Sequence, residues 1–136
     1  MLNPIKEIHK FQHDAGLVKA IDPQLEASMV IEEALELYGA PGPKQAARDF
    51  IESFPDLIDN KEVDQFDAAL DIIVIAIGTL AKLNLSPQQI QQGLLVVNKA
   101  NRQKLNQPTD SLGKLTKPVD FIPPEPELQL ILDKRK

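Results

Sequence analysis

The chain has 136 residues, 43% of them hydrophobic, enough for one domain with a real core and too few to expect two. Its formal net charge of -5 and pI near 5.0 leave no basic stripe to follow a phosphate backbone, so no nucleic acid polymer is expected as a partner. The absence of cysteine removes disulfides, zinc–thiolate sites and thiol catalysis, and the mixed polar start lacks the apolar run of a secretory signal, so a cytoplasmic location is expected.

Asn3-Pro4 is a helix start, Asn3 as N-cap and Pro4 at the first helical position, and Ile5, Ile8 and Phe11 follow at helical spacing until Gly16. Asp22-Pro23 repeats the signal. Leu25, Met29, Val30, Ala34, Leu35 and Tyr38 give that second helix an apolar face until Gly39. A Gly/Pro-rich loop follows, then a shorter helix over 44–53, ended before Pro55. The next helix, over 61–83, carries no polar side chain between residues 68 and 81 except Asp71 and Thr79, so it is expected to be buried, with Asp71 inside. That apolar run falls short of the roughly 20 residues that span a bilayer, and no membrane association is expected. Ser86-Pro87 caps a further helix to about residue 105.

Beyond Asn106, Pro108, Gly113, Pro118, Pro123, Pro124 and Pro126 break any long helix, while Leu112, Leu115, Val119, Phe121 and Ile122 are apolar enough to pack on the domain. Residues 127–132 suit a last short helix, with 133–136 solvated beyond it. The expectation is a single all-α domain over 1–136: a four to five helix bundle over 1–105 and an extended, packed, Pro-rich tail over 106–136.

Two acidic patterns stand out. Glu32, Glu33 and Glu36 fall within about 100° of helical arc, and Asp67 and Asp71 lie one turn apart on their own helix. Taken alone, the glutamates describe a solvated acidic face. Taken with an aspartate pair on an apolar helix, they describe a carboxylate cluster that repels itself unless hard divalent cations bind, because the only Lys or Arg between Asp49 and Lys82 is Lys61.

The order Glu32-Glu33-x-x-Glu36, Asp67-Ala-Ala-Leu-Asp71-Ile72, Asn101-Arg-Gln-Lys104 and Gly113-Lys114-Leu-Thr-Lys117-Pro118-Val-Asp-Phe121-Ile-Pro123-Pro124 resembles the all-α nucleoside triphosphate pyrophosphohydrolases. These include MazG, the dimeric dUTPases and phosphoribosyl-ATP pyrophosphohydrolase, whose own branch the chain resembles most over about residues 11–132. Where the MazG and dimeric dUTPase pattern carries Glu on the second helix, this chain carries Ala68, and Asp67 is the neighbouring carboxylate.

The resemblance implies that Glu33, Glu36, Asp67 and Asp71 hold Mg²⁺, or Mn²⁺ in its place. It implies that Glu32 orients or deprotonates the attacking water beside Glu33. It further implies substrate contacts from Asn101, Lys104, Lys114, Lys117 and, by its position, Gln12. The activity implied is cleavage of the α–β phosphate bond of a (deoxy)nucleoside triphosphate or related nucleotide, by a homodimer or homotetramer. Phosphoribosyl-ATP hydrolysis in histidine synthesis and a catalytically silent helical nucleotide-binding module are the alternatives.

Overall fold

The computed structural model describes every residue except Pro55, Leu112 and Lys136, so the break at Pro55, the packing of Leu112 and the end of the solvated terminus lie outside the described residues. The helices are α1 (Pro4–Asp14), α2 (Pro23–Tyr38), α3 (Pro43–Glu52), α4 (Glu62–Lys82), α5 (Pro87–Arg102) and α6 (Glu125–Asp133). Among the described residues there is no strand; one isolated antiparallel bridge joins Thr109 and Leu115. The protein is all-α.

Local chemistry sets the helix starts. The Asn3 side chain accepts from the N–H groups of Ile5 and Lys6, and that of Asp22 from Gln24 and Leu25, each satisfying donors that the first turn leaves without partners. Ser86 and Gln89 form a reciprocal capping box, with Pro87 behind the cap. Replacing Ser86 by Ala should cost about 1 kcal/mol, lowering Tm by about 4 °C in a thermal melt followed by circular dichroism. At the other end of α2, Gly39 adopts φ +86°, and the N–H groups of Gly39 and Ala40 close on the carbonyls of Glu36 and Leu35. A side chain there would be strained.

The chain divides into two compact units, one formed by Met1–Val18 with Lys61–Lys136 and the other by Lys19–Asn60. In the first, α1 and α6 both pack on α5. Phe11 and Ala100 are buried there, and Arg102 pairs with Asp14 at 3.1 Å. Lys99 pairs with Glu127 of α6, and Arg135 donates to the carbonyl of Leu83 at the end of α4. The last turns of α4, with α5 and α6, line an apolar cleft of about 370 Å³ that includes Leu80, Leu83, Ile90, Leu128 and Ile131. In the second unit α2 packs on α3 around Ala47.

The helix expected to be buried is not. No residue of α4 is buried, and residues 66–77 are exposed without interruption, Phe66 at 65% and Ile75 at 69%. Asp71 is exposed with them. The physical reason is that the first unit's packing runs through α1, α5 and α6, so only the C-terminal turns of α4 are drawn in. No single helix among the described residues is long and apolar enough to cross a membrane.

The tail also departs from expectation at two positions. Val119 is fully exposed at the tip of a turn closed by the N–H of Phe121 on the carbonyl of Pro118. Ile122 is anchored through its backbone, which leaves its side chain 69% exposed. The last helix starts two residues before the expected 127, because Pro126 sits in the first turn, where no intrahelical N–H bond is lost.

Candidate functional site

Glu32, Glu33 and Glu36 lie on α2 in the Lys19–Asn60 unit, Glu32 half-buried and the other two exposed. Asp67 and Asp71 lie one turn apart on the exposed length of α4, in the other unit. The four carboxylates assigned to metal are therefore divided two and two. Within either unit, no three His, Asp or Glu side chains among the described residues are gathered at metal-binding distance. As donors these residues are all carboxylate oxygens, the chemistry that suits Mg²⁺ or Mn²⁺ and disfavours softer ions.

The basic half of the candidate site is assembled more closely. At the end of α5, the Lys104 ammonium donates to Asn101 Oδ1 at 3.2 Å, the pair standing one helical turn apart. The tail then brings Phe121 beside Lys104. Lys104 Nζ lies 5.9 Å from the centre of the Phe121 ring and Lys117 Nζ lies 5.0 Å from it, both within cation–π range. Two residues assigned to substrate from the sequence, Lys104 and Lys117, thus meet around one aromatic ring, and a third, Asn101, is bonded to Lys104.

Lys114 holds the hairpin that precedes this ring. Its N–H donates to Asp110 Oδ1 at 3.1 Å, and its carbonyl accepts from the Asp110 N–H at 2.8 Å. Gln12 is half-buried on α1, where its carbonyl accepts from the N–H of Leu17.

Two residues that the motifs do not mark stand out, Gln103 against the tail and Asn98 inside α5. The Gln103 amide donates through Nε2 to the carbonyl of Ile122 at 2.8 Å and accepts at Oε1 from its N–H at 2.9 Å. This two-point bond, the side-chain equivalent of a strand pairing, fixes the tail beside α5. Asn98, on the same helix, is 6% exposed, with Oδ1 buried and no hydrogen-bond partner. Nothing in a lone Gln or Asn within a helix announces such a role; only the long-range partner or the burial reveals it.

Compared with known proteins, the chain gives no match to any family model, any curated protein or any solved structure.

Proposed function

We propose that the protein is a Mg²⁺-dependent nucleotide pyrophosphohydrolase of the all-α type, cleaving the α–β anhydride of a nucleoside triphosphate or related nucleotide. The observation that carries this reading is the convergence of Lys104 and Lys117 on Phe121, with Asn101 bonded to Lys104. These residues come from a helix end and a distant tail, and they offer two ammonium groups and an amide to one anion. A polyphosphate brings several negative charges, and paired ammonium donors are a common way to hold its oxygens.

In the reaction, a water oxygen bonds to the α-phosphorus as its bond to the bridging oxygen breaks. The electron pair leaves with pyrophosphate, and a nucleoside monophosphate remains. Glu32 takes the proton from the water, a role open to a carboxylate held within hydrogen-bond reach. Lys104 and Lys117 meet the charge that gathers on the leaving pyrophosphate, where preorganised donors lower the barrier most. By the resemblance, the carboxylates assigned to the divalent ion are Glu33 and Glu36 in one unit and Asp67 and Asp71 in the other, and the ion would supply charge neutralisation and a more acidic water. The exposed α4 supports a further part of the reading, that the working form is a homodimer or homotetramer.

The test is pyrophosphate release from a panel of ribo- and deoxyribonucleoside triphosphates and phosphoribosyl-ATP, with Mg²⁺ and with EDTA. Release from at least one substrate, abolished by EDTA, is expected. No release from any of them would overturn the assignment.

A further inference from the structure

Resting on the nucleotide reading but separable from it, we propose that Gln103 and Phe121 act as a positioning clamp that builds a pyrophosphate-binding site from Lys104 and Lys117. The clamp has two parts. Gln103 fixes the height of the tail through both polar groups of the Ile122 backbone, at 2.8 and 2.9 Å. The Pro118–Phe121 turn, closed by the Phe121 N–H at 3.2 Å, then folds the ring back toward Lys117.

The ring's role is electrostatic. Two ammonium groups repel each other, and two flexible lysines lose side-chain entropy when ordered together. The π system of an aromatic ring attracts each ammonium, so Phe121 holds both within about 6 Å of its centre before any anion arrives. Asn101 steadies Lys104 from the helix side through the 3.2 Å bond. Two ammonium groups arranged around one ring favour a diphosphate over a single phosphate, because two phosphoryl groups can each take a cation. Chemically, the site fits inorganic pyrophosphate or the terminal diphosphate of a nucleotide.

Neither Gln103 nor Phe121 carries a charge or an acid–base group, so their effect must run through the lysines. That dependence makes the proposal testable by calorimetric titration of the whole protein with inorganic pyrophosphate and, separately, with orthophosphate. Wild type is expected to bind pyrophosphate more tightly than orthophosphate. Lys117→Gln should weaken pyrophosphate binding about tenfold, the size expected for losing one charge-assisted contact. Phe121→Leu, which keeps an apolar side chain but removes the ring face, should weaken it about threefold to fivefold. Gln103→Met, close in shape but without the two bonds, should do likewise.

Phe121→Tyr, which keeps the ring face, should bind pyrophosphate near the wild-type value. Phe121→Leu added to Lys117→Gln should cost less than the product of the two single effects. Thermal melts show which variants fold, and Gln103→Met carries the test if Phe121→Leu does not fold. Pyrophosphate binding unchanged in folded Gln103→Met and Phe121→Leu, or absent in wild type, would overturn the clamp. Clamp-dependent binding in a protein that hydrolyses no nucleotide would instead overturn the enzymatic reading and leave the clamp standing.

Discussion

At micromolar concentration the purified chain is expected to sediment as a dimer or larger, and Ile73→Glu is expected to return it to a 15.1 kDa monomer. Phe66, Leu70, Ile73 and Ile77 fall within about 60° of one another around the helix axis, at the spacing of a helix-pairing seam. All four are exposed, Ile73 at 53%. A largely apolar helix of this length gains little from its own hydrogen bonds in water and owes its stability to packing. An uninterrupted apolar surface of this kind marks an interaction site. A second copy presents the same stripe, so a two-fold pairing along α4 meets the need with one surface. Covering each of these half-exposed side chains should return about 1 kcal/mol, and burying a glutamate at position 73 instead should cost several. The dissociation constant should therefore rise at least a hundredfold by about 3 kcal/mol of lost association energy. Asp67 and Asp71 lie about 120° and about 160° around the helix from Ile73, so Ile73→Glu tests association without removing a proposed ligand. A wild-type chain that stays monomeric at micromolar concentration would refute the pairing.

Asp71→Asn should reduce pyrophosphate release by at least a hundredfold, roughly the 2.7 kcal/mol or more that a lost catalytic electrostatic contact removes. The same substitution should leave the EDTA melt within about 1 °C of wild type. Asp71 is exposed on α4, and exchanging a solvated carboxylate for an amide of the same shape changes little in the folded chain. The expectation differs from that of a buried Asp71, whose loss would relieve repulsion and raise the metal-free melting temperature. With Mg²⁺ at about a hundred times its dissociation constant, wild type should gain about 2.7 kcal/mol by mass action, and the variant should lose most of that gain. Melts in EDTA and in Mg²⁺, beside the release assay, separate the cases. A variant that melts lower in EDTA and keeps its full Mg²⁺ shift would mean that Asp71 supports the fold and holds no metal.

The helices were legible because their boundaries are local chemistry. Asn3-Pro4, Asp22-Pro23 and Ser86-Pro87 each place an acceptor just before the first turn and a proline where no donor is needed, and each heads a helix. Gly39 ends α2 for an equally local reason, its positive φ. The fate of α4 was not legible. Its apolar composition states what must be covered, whereas burial depends on what lies opposite, and within its unit α1 and α6 take α5 as their partner.

At the candidate site, residue types were readable and their grouping was not. Lys104 and Lys117 stood out as cations near a nucleotide-like motif, but the bonds that join them run between Gln103 and Ile122, which are 19 residues apart. Val119 illustrates the opposite error: an apolar side chain that looks ready to pack is spent at the tip of a turn and is exposed. The division of the carboxylates between two units likewise has no local signature.

The first of those units is discontinuous in the chain, and this imposes an order on biosynthesis. Asp14 and its partner Arg102 are 88 residues apart. At translation rates of about 5 to 20 residues per second, α1 is made roughly 4 to 18 s before the end of the helix that covers it. Throughout that interval the Phe11 face of α1 has no mate, while α2 and α3, adjacent in sequence, can close as soon as both have left the ribosome. The nascent chain thus carries an early, self-sufficient helix pair next to an unpaired helix awaiting its partner. Any factor that shields apolar segments during synthesis would act on α1 first.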